Sequence, residues 1–102
     1  MDLKEIQKEA YKIVDEYNQK HNLEYDKETV FFHLIEEIGE LARHIHNEKN
    51  KWRKEEFDKE KLGEEIIDVL AQLLYLSRDY GIDLEQTFIK KVKKTRKKYG
   101  LD

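Results

Sequence analysis

No cysteine and no proline occur in the 102 residues, only four residues are glycine, and no apolar run exceeds four residues. Without cysteine there is no disulfide framework, no zinc-thiolate site and no thiol nucleophile, so catalysis would rest on carboxylates, histidines, hydroxyls or lysines. The short apolar runs exclude a membrane-spanning helix, which needs about 20 such residues. The opening Met1-Asp2-Leu3-Lys4-Glu5 carries no hydrophobic signal core, and a soluble cytoplasmic protein is the expectation. An excess of one charge sign is missing too. Charged residues make up 42% of the chain, against roughly 25% in an average domain, yet 20 basic and 23 acidic residues leave a net charge of −3. Bulk charge therefore selects no partner and argues against a polyanion-binding protein as a whole.

What remains is helical periodicity. Apolar spacings of three and four dominate nearly everywhere, and acidic caps do the punctuation that proline would otherwise do. The expectation is an all-α chain of four helices forming one domain over residues 1–102. The first helix is capped by Asp2 and runs to about His21, with Leu3, Ile6, Ala10, Ile13, Val14 and Tyr17 on one face. The second is capped by Asp26 and runs to about Asn47 or Asn50. The third is capped near Asp58 and ends at Gly81, which suits a left-handed C-cap after Tyr80. The fourth is capped by Asp83, with Gln86 three positions on, and stops at Gly100. Segment 47–57, with Trp52 at its centre, is the least regular and reads as a loop.

An internal repeat carries the most information. Residues 34–41 read Leu-Ile-Glu-Glu-Ile-Gly-Glu-Leu and residues 62–69 read Leu-Gly-Glu-Glu-Ile-Ile-Asp-Val. At 100° per residue, with Leu34 at zero, an apolar arc of Val30, Phe31, Ile38, Leu41, Ala42 and Ile45 centres at about 40°, while Glu37 falls at about 300° and Glu40 at about 240°. Counting from Leu62 puts Glu65 at about 300° and Asp68 at about 240°, beside Ile66, Val69, Leu70, Leu73, Leu74 and Leu76. Both helices thus carry an acidic ridge at the border of an apolar face, with Glu36 and Glu64 further towards solvent.

If the two helices pack antiparallel, as a short connection favours, Glu37, Glu40, Glu65 and Asp68 converge across one seam. Close carboxylates repel and burial raises the cost, so protons or cations must compensate. Magnesium is the natural cation, because it takes hard oxygen ligands and keeps positions open for water and phosphate; manganese is a substitute. The competing reading pairs the same acids with lysines at an ordinary helix boundary. A di-iron carboxylate bundle needs Glu-x-x-His, and no histidine here has glutamate three residues before it. His33 and His44 read as neighbouring hydrogen-bonding or surface residues.

These residues resemble a known family. Glu36-Glu37-Ile-Gly-Glu40, followed after 24 intervening residues by Glu65-Ile-Ile-Asp68, is similar to the Glu-Glu-x-x-Glu and Glu-x-x-Asp signature of the MazG-like all-α nucleoside triphosphate pyrophosphohydrolases. The likeness covers about residues 28–99. It implies hydrolysis of a nucleoside triphosphate to the monophosphate and pyrophosphate, with magnesium held by Glu37, Glu40, Glu65 and Asp68. Glu36 would be an outer ligand or the base that orients the attacking water, completing a catalytic set of Glu36, Glu37 and Glu40. House-cleaning of non-canonical nucleotides is one use of that chemistry. A phosphoribosyl-ATP pyrophosphohydrolase and a non-catalytic helical dimerisation module are the alternatives.

Relatives often carry Lys, Asn and Arg as a phosphate-reaching stripe on the last helix; here the positions hold Lys91, Thr95 and Lys98. Lysine lacks arginine's bidentate fork, so the departures bear on substrate detail. Seven cations between Lys90 and Lys98 also complement the helix macrodipole and make a solvated face. They lack the interleaved aromatics of a nucleic-acid surface, and no nucleic-acid or membrane partner is expected. Trp52 either stacks on a base or covers the core edge. Because the third helix is apolar over nearly half its circumference and one subunit has little to cover it, the antiparallel bundle is expected to be completed by oligomerisation, as a homodimer or a homotetramer.

Overall fold

A computed structural model of the chain describes residues 1–24, 26–49 and 56–102. Among the described residues there are four helices and no strands: α1 (Leu3–Lys20), α2 (Lys27–Lys49), α3 (Lys59–Asp79) and α4 (Leu84–Lys98). Each begins at the aspartate expected from the sequence. Asp2 accepts from the Glu5 N–H at 2.9 Å, Asp26 from Thr29 at 2.8 Å, Asp58 from Glu60 and Lys61 at 2.9 and 3.2 Å, and Asp83 from Gln86 at 3.1 Å. These bonds satisfy amide donors that a helix start leaves unpaired. The hydrogen bonds from Thr29 hold the Asp26 carboxyl below its ordinary value.

Three helices stop in the same way. Gly81 and Gly100 have φ of 66° and 65°, and their amides donate to Arg78 and Lys97. The amides of Ile82 and Leu101 donate to the Ser77 and Arg96 carbonyls. This is the Schellman arrangement, which needs a left-handed residue that glycine adopts without strain. α1 ends identically on Asn22 at φ 52°, a non-glycine residue type that tolerates this region.

α2 and α3 form an antiparallel pair. Lys27 at the start of α2 lies 4.4 Å over the ring of Tyr80 at the end of α3, while Arg43, His44 and Asn47 near the end of α2 share a cavity with Asp58, Lys59 and Lys61. α1 packs on the C-terminal half of α3. Val14, Val30 and Tyr75 form a small core with Ala10, Tyr11, Ala71 and Leu76 around it. The Tyr11 hydroxyl donates to the Leu74 carbonyl at 3.0 Å, and Arg78 grips Asp15 through two bonds of 3.0 Å while lying over the Tyr11 ring.

One expectation is corrected. The covered side of α2 carries Val30, Leu34, Glu37 and Leu41, whereas Phe31, Ile38 and Ile45 are 50%, 48% and 51% exposed. Ile66 and Leu73 of α3 are exposed likewise. The acids are therefore not at the rim of the packed face; the helices have turned so that Glu37 and Glu65 enter the seam and the apolar stripes face away from it. The loop expected from residue 47 begins later, since α2 continues through Lys49. α4 buries no residue and is tied to α1 by the Lys4–Glu85 ion pair at 3.5 Å. The radius of gyration is 16.9 Å, against about 13 Å for a compact chain of this length.

Candidate active site

The antiparallel pairing places one acidic octet across from the other. Glu37 on α2 and Glu65 and Asp68 on α3 each offer a carboxylate oxygen within 4.8 Å of the others. Glu65 and Asp68 are three residues apart and so share one flank of α3; Glu37 reaches them from the facing helix.

Glu65 bears the strain of this arrangement. It is 9% exposed, and its pKa is pushed from 4.5 up to about 7. The largest cause is a hydrogen bond with Glu37, which requires a proton between the two carboxyls; burial follows, then the charges of Glu37, Asp68 and Glu40. Asp68 is raised as well, by burial and by Glu37 and Glu64. These are the marks of acids assembled for a function other than stability. The Glu65 Oε1 is buried and has no hydrogen-bond partner, an arrangement that costs free energy unless something fills the valence. Three hard carboxylates, one with an orphaned oxygen, fit a divalent cation of the magnesium class.

Glu40, expected in the same group, lies outside the three-acid cluster and pairs with Arg43 one turn on, at 3.0 Å. Its charge still acts on Glu65. Glu36 is exposed on the solvent side of α2. His33 and His44 are half-buried, and His44 lines the cavity at the open end of the helix pair. Lys91 stands apart from the acids, in a cavity with Leu3, Leu70, Leu74 and Phe88. Thr95 is half-buried, and Lys98 lies 5.5 Å over the ring of Tyr99. Trp52 lies outside the described residues.

The structure adds a feature that the sequence reading did not contain. A cavity of about 730 Å³ lies where the C-terminal turns of α2 meet the start of α3, lined by Arg43, His44, Asn47, Phe57 and Lys61 among others. That volume is within the range of small-molecule sites. Lys61 is one helical turn before Glu65 and Arg43 one turn after Glu40, so the cavity adjoins the acids. The spacing of Glu40 and Arg43, three apart on a helix, was the available signal.

A helical pair with clustered acids in its seam and a cation-lined cavity beside them defines an all-α hydrolase of phosphate anhydrides. Residues 25–99 match the MazG nucleotide pyrophosphohydrolase domain, and the chain belongs to that family. Among solved structures, the chain is similar to YPJD of Bacillus subtilis, described as a candidate pyrophosphatase, with a TM-score of 0.73 and 27% identity over 92% of this chain and 94% of that one. No curated protein matches the chain. No helix among the described residues is long and apolar enough to cross a membrane.

Proposed function

We propose that the protein hydrolyses a nucleoside triphosphate, ribo or deoxy, to the monophosphate and pyrophosphate in a magnesium-dependent reaction. The single observation that carries this is the Glu37–Glu65–Asp68 cluster with its orphaned Glu65 oxygen, set in a MazG domain. Glu37, Glu65 and Asp68 would hold the metal, which supplies neutralisation of phosphate charge and a more acidic water when bound. Glu40 joins them by leaving Arg43, because an exposed ion pair of that kind is worth less than about 1 kcal/mol.

The remaining tasks fall to the chain's own groups. Glu36, exposed beside Glu37, accepts the proton of the attacking water. Arg43 and Lys61 line the adjoining cavity and meet the phosphates, and Phe57 offers a face to the base. Lys91, Thr95 and Lys98 form the further phosphate stripe, and Trp52 a second stacking surface. The absence of cysteine is no obstacle, since positioning and charge neutralisation suffice for phosphoryl chemistry. Disposal of non-canonical nucleotides is one role such an activity serves. The exposed stripes Phe31–Ile38–Ile45 and Ile66–Leu73 support a homodimer or homotetramer.

A panel of canonical and modified nucleoside triphosphates, together with phosphoribosyl-ATP, assayed for pyrophosphate release with magnesium or manganese, tests the reading. Turnover of one or more nucleoside triphosphates is expected. Exclusive turnover of phosphoribosyl-ATP would replace the substrate, and no turnover of any member would leave a helical dimerisation module.

A further inference from the structure

The cationic helix α4 and the acidic cluster are on different sides of the same subunit. Lys91 lines a cavity with Leu70 and Leu74. With Leu62 at zero, those two leucines lie at about 80° and 120° on α3, whereas Glu65 and Asp68 lie at about 300° and 240°. The lysine therefore sits across a helix that is about 10 Å wide from the carboxylates of its own chain. Nor is α4 embedded where it lies: it has no buried residue, and Phe88, Ile89 and Val92 are exposed beside its cations.

Resting on the reading of the acids as a nucleotide site, we propose that the lysine stripe of α4, Lys91 and Lys98, acts on the acidic site of a second copy of the chain, so that each site is completed across the subunit interface. Three observations select a second copy as the occupant. The charges are complementary, seven cations on one helix meeting an acidic flank that contains Glu64, Glu65 and Asp68. Both partners of the contact carry uncovered apolar side chains, Phe88, Ile89 and Val92 on α4 and Phe31, Ile38, Ile66 and Leu73 on the helix pair. The open shape, with a radius of gyration of 16.9 Å, leaves both surfaces uncovered in a single subunit. A phosphate chain bound at the acids would then have metal from one subunit and lysines from the other, and an isolated subunit would hold half a site.

The cysteine-free chain makes the test direct. A tagged chain with Lys98→Cys is co-expressed with an untagged chain with Glu64→Cys, and the mixture is treated with a bismaleimide that spans about 10 Å, the width of one helix. A product joining tagged to untagged chain is expected. If a chain carrying both substitutions instead links within itself, or if sedimentation finds only monomers, the proposal is overturned. This readout needs no catalysis, so a failure of the nucleotide reading is seen separately as absent pyrophosphate release. Where that activity is present, the double variant Lys91→Ala, Lys98→Ala and the variant Asp68→Asn are each expected to be inactive alone. Co-expressed in a dimer at random pairing, they should recover about a quarter of wild-type activity, one whole site in each mixed dimer. Recovery of none would place the stripe in the same subunit as its acids. Capture of nucleic acid by α4 with no cross-chain product would likewise overturn the proposal.

Discussion

Glu65 on α3 and Glu37 on α2 share a hydrogen bond across the helix seam, and that bond is the largest cause of the rise in the Glu65 pKa to about 7. A hydrogen bond between two carboxyls exists only while one holds a proton. The seam is thus built on a proton that a cation replaces.

The stability of the metal-free protein follows from the sign of that shift. The folded state holds the Glu65 proton more tightly than the unfolded chain, whose value is about 4.5, so the contribution is fully present below pH 4.5 and is lost as pH rises through about 7. Glu65→Gln removes the titration. In the presence of a chelator, wild type should lose stability relative to Glu65→Gln between pH 4.5 and 8, measured as urea midpoints. At pH 8 the variant should melt higher by roughly 4–8 °C for each kcal/mol of repulsion relieved. A constant difference across that range would mean that Glu65 is not protonated at the seam.

Much of this arrangement was legible in the sequence, and what was not has a physical reason. The four aspartate caps and the glycines at 81 and 100 are local signals, and each appears where the spacing put it. The matched octets predicted an acidic cluster because residues three apart share a flank wherever the helix lies. The rotation of α2 about its own axis was not legible. Val30, Phe31, Leu34 and Ile38 are all apolar, and only the partner helices determine which are covered. The Arg43 pairing, the cavity beside it and the distance of Lys91 from the acids depend on tertiary placement for the same reason.

Metal removal should be visible without any substrate. Magnesium binding the folded state alone raises stability by about 2.7 kcal/mol at one hundred times its Kd. Because the ligands bind as carboxylates, the gain should be larger at pH 8 than at pH 6. Thermal melts with magnesium and with chelator check this in wild type and in Asp68→Asn, which should show little gain. An equal gain in both proteins would place the ion elsewhere.

Glu36 and Glu40 should separate by role. Glu36→Gln is expected to keep the magnesium-induced rise in melting temperature while kcat falls by about 10²- to 10⁴-fold, the contribution of a positioned base. Glu40→Gln is expected to weaken magnesium binding as well. Calorimetric titration alongside rates distinguishes the two, and identical behaviour would dissolve the distinction drawn from their places on α2.

The small core makes its few members costly to change. Leu74 is 1% exposed, and Leu74→Ala should lose about 2–5 kcal/mol. Tyr11→Phe deletes one bond, to the Leu74 carbonyl, and should lose about 1 kcal/mol. Denaturant midpoints at fixed protein concentration measure both, and a Tyr11→Phe effect as large as that of Leu74→Ala would contradict the packing described.

The central claim is that the acids of the seam hold the metal that drives pyrophosphate release. The most direct measurement is the rate of pyrophosphate release from a turned-over nucleoside triphosphate, titrated with magnesium, in wild type and in Asp68→Asn. The account predicts no release without metal, saturation with magnesium in wild type, and loss of at least about 10²-fold in the variant while its helical signal persists. Full activity in folded Asp68→Asn, or release that is indifferent to magnesium and manganese, would contradict it.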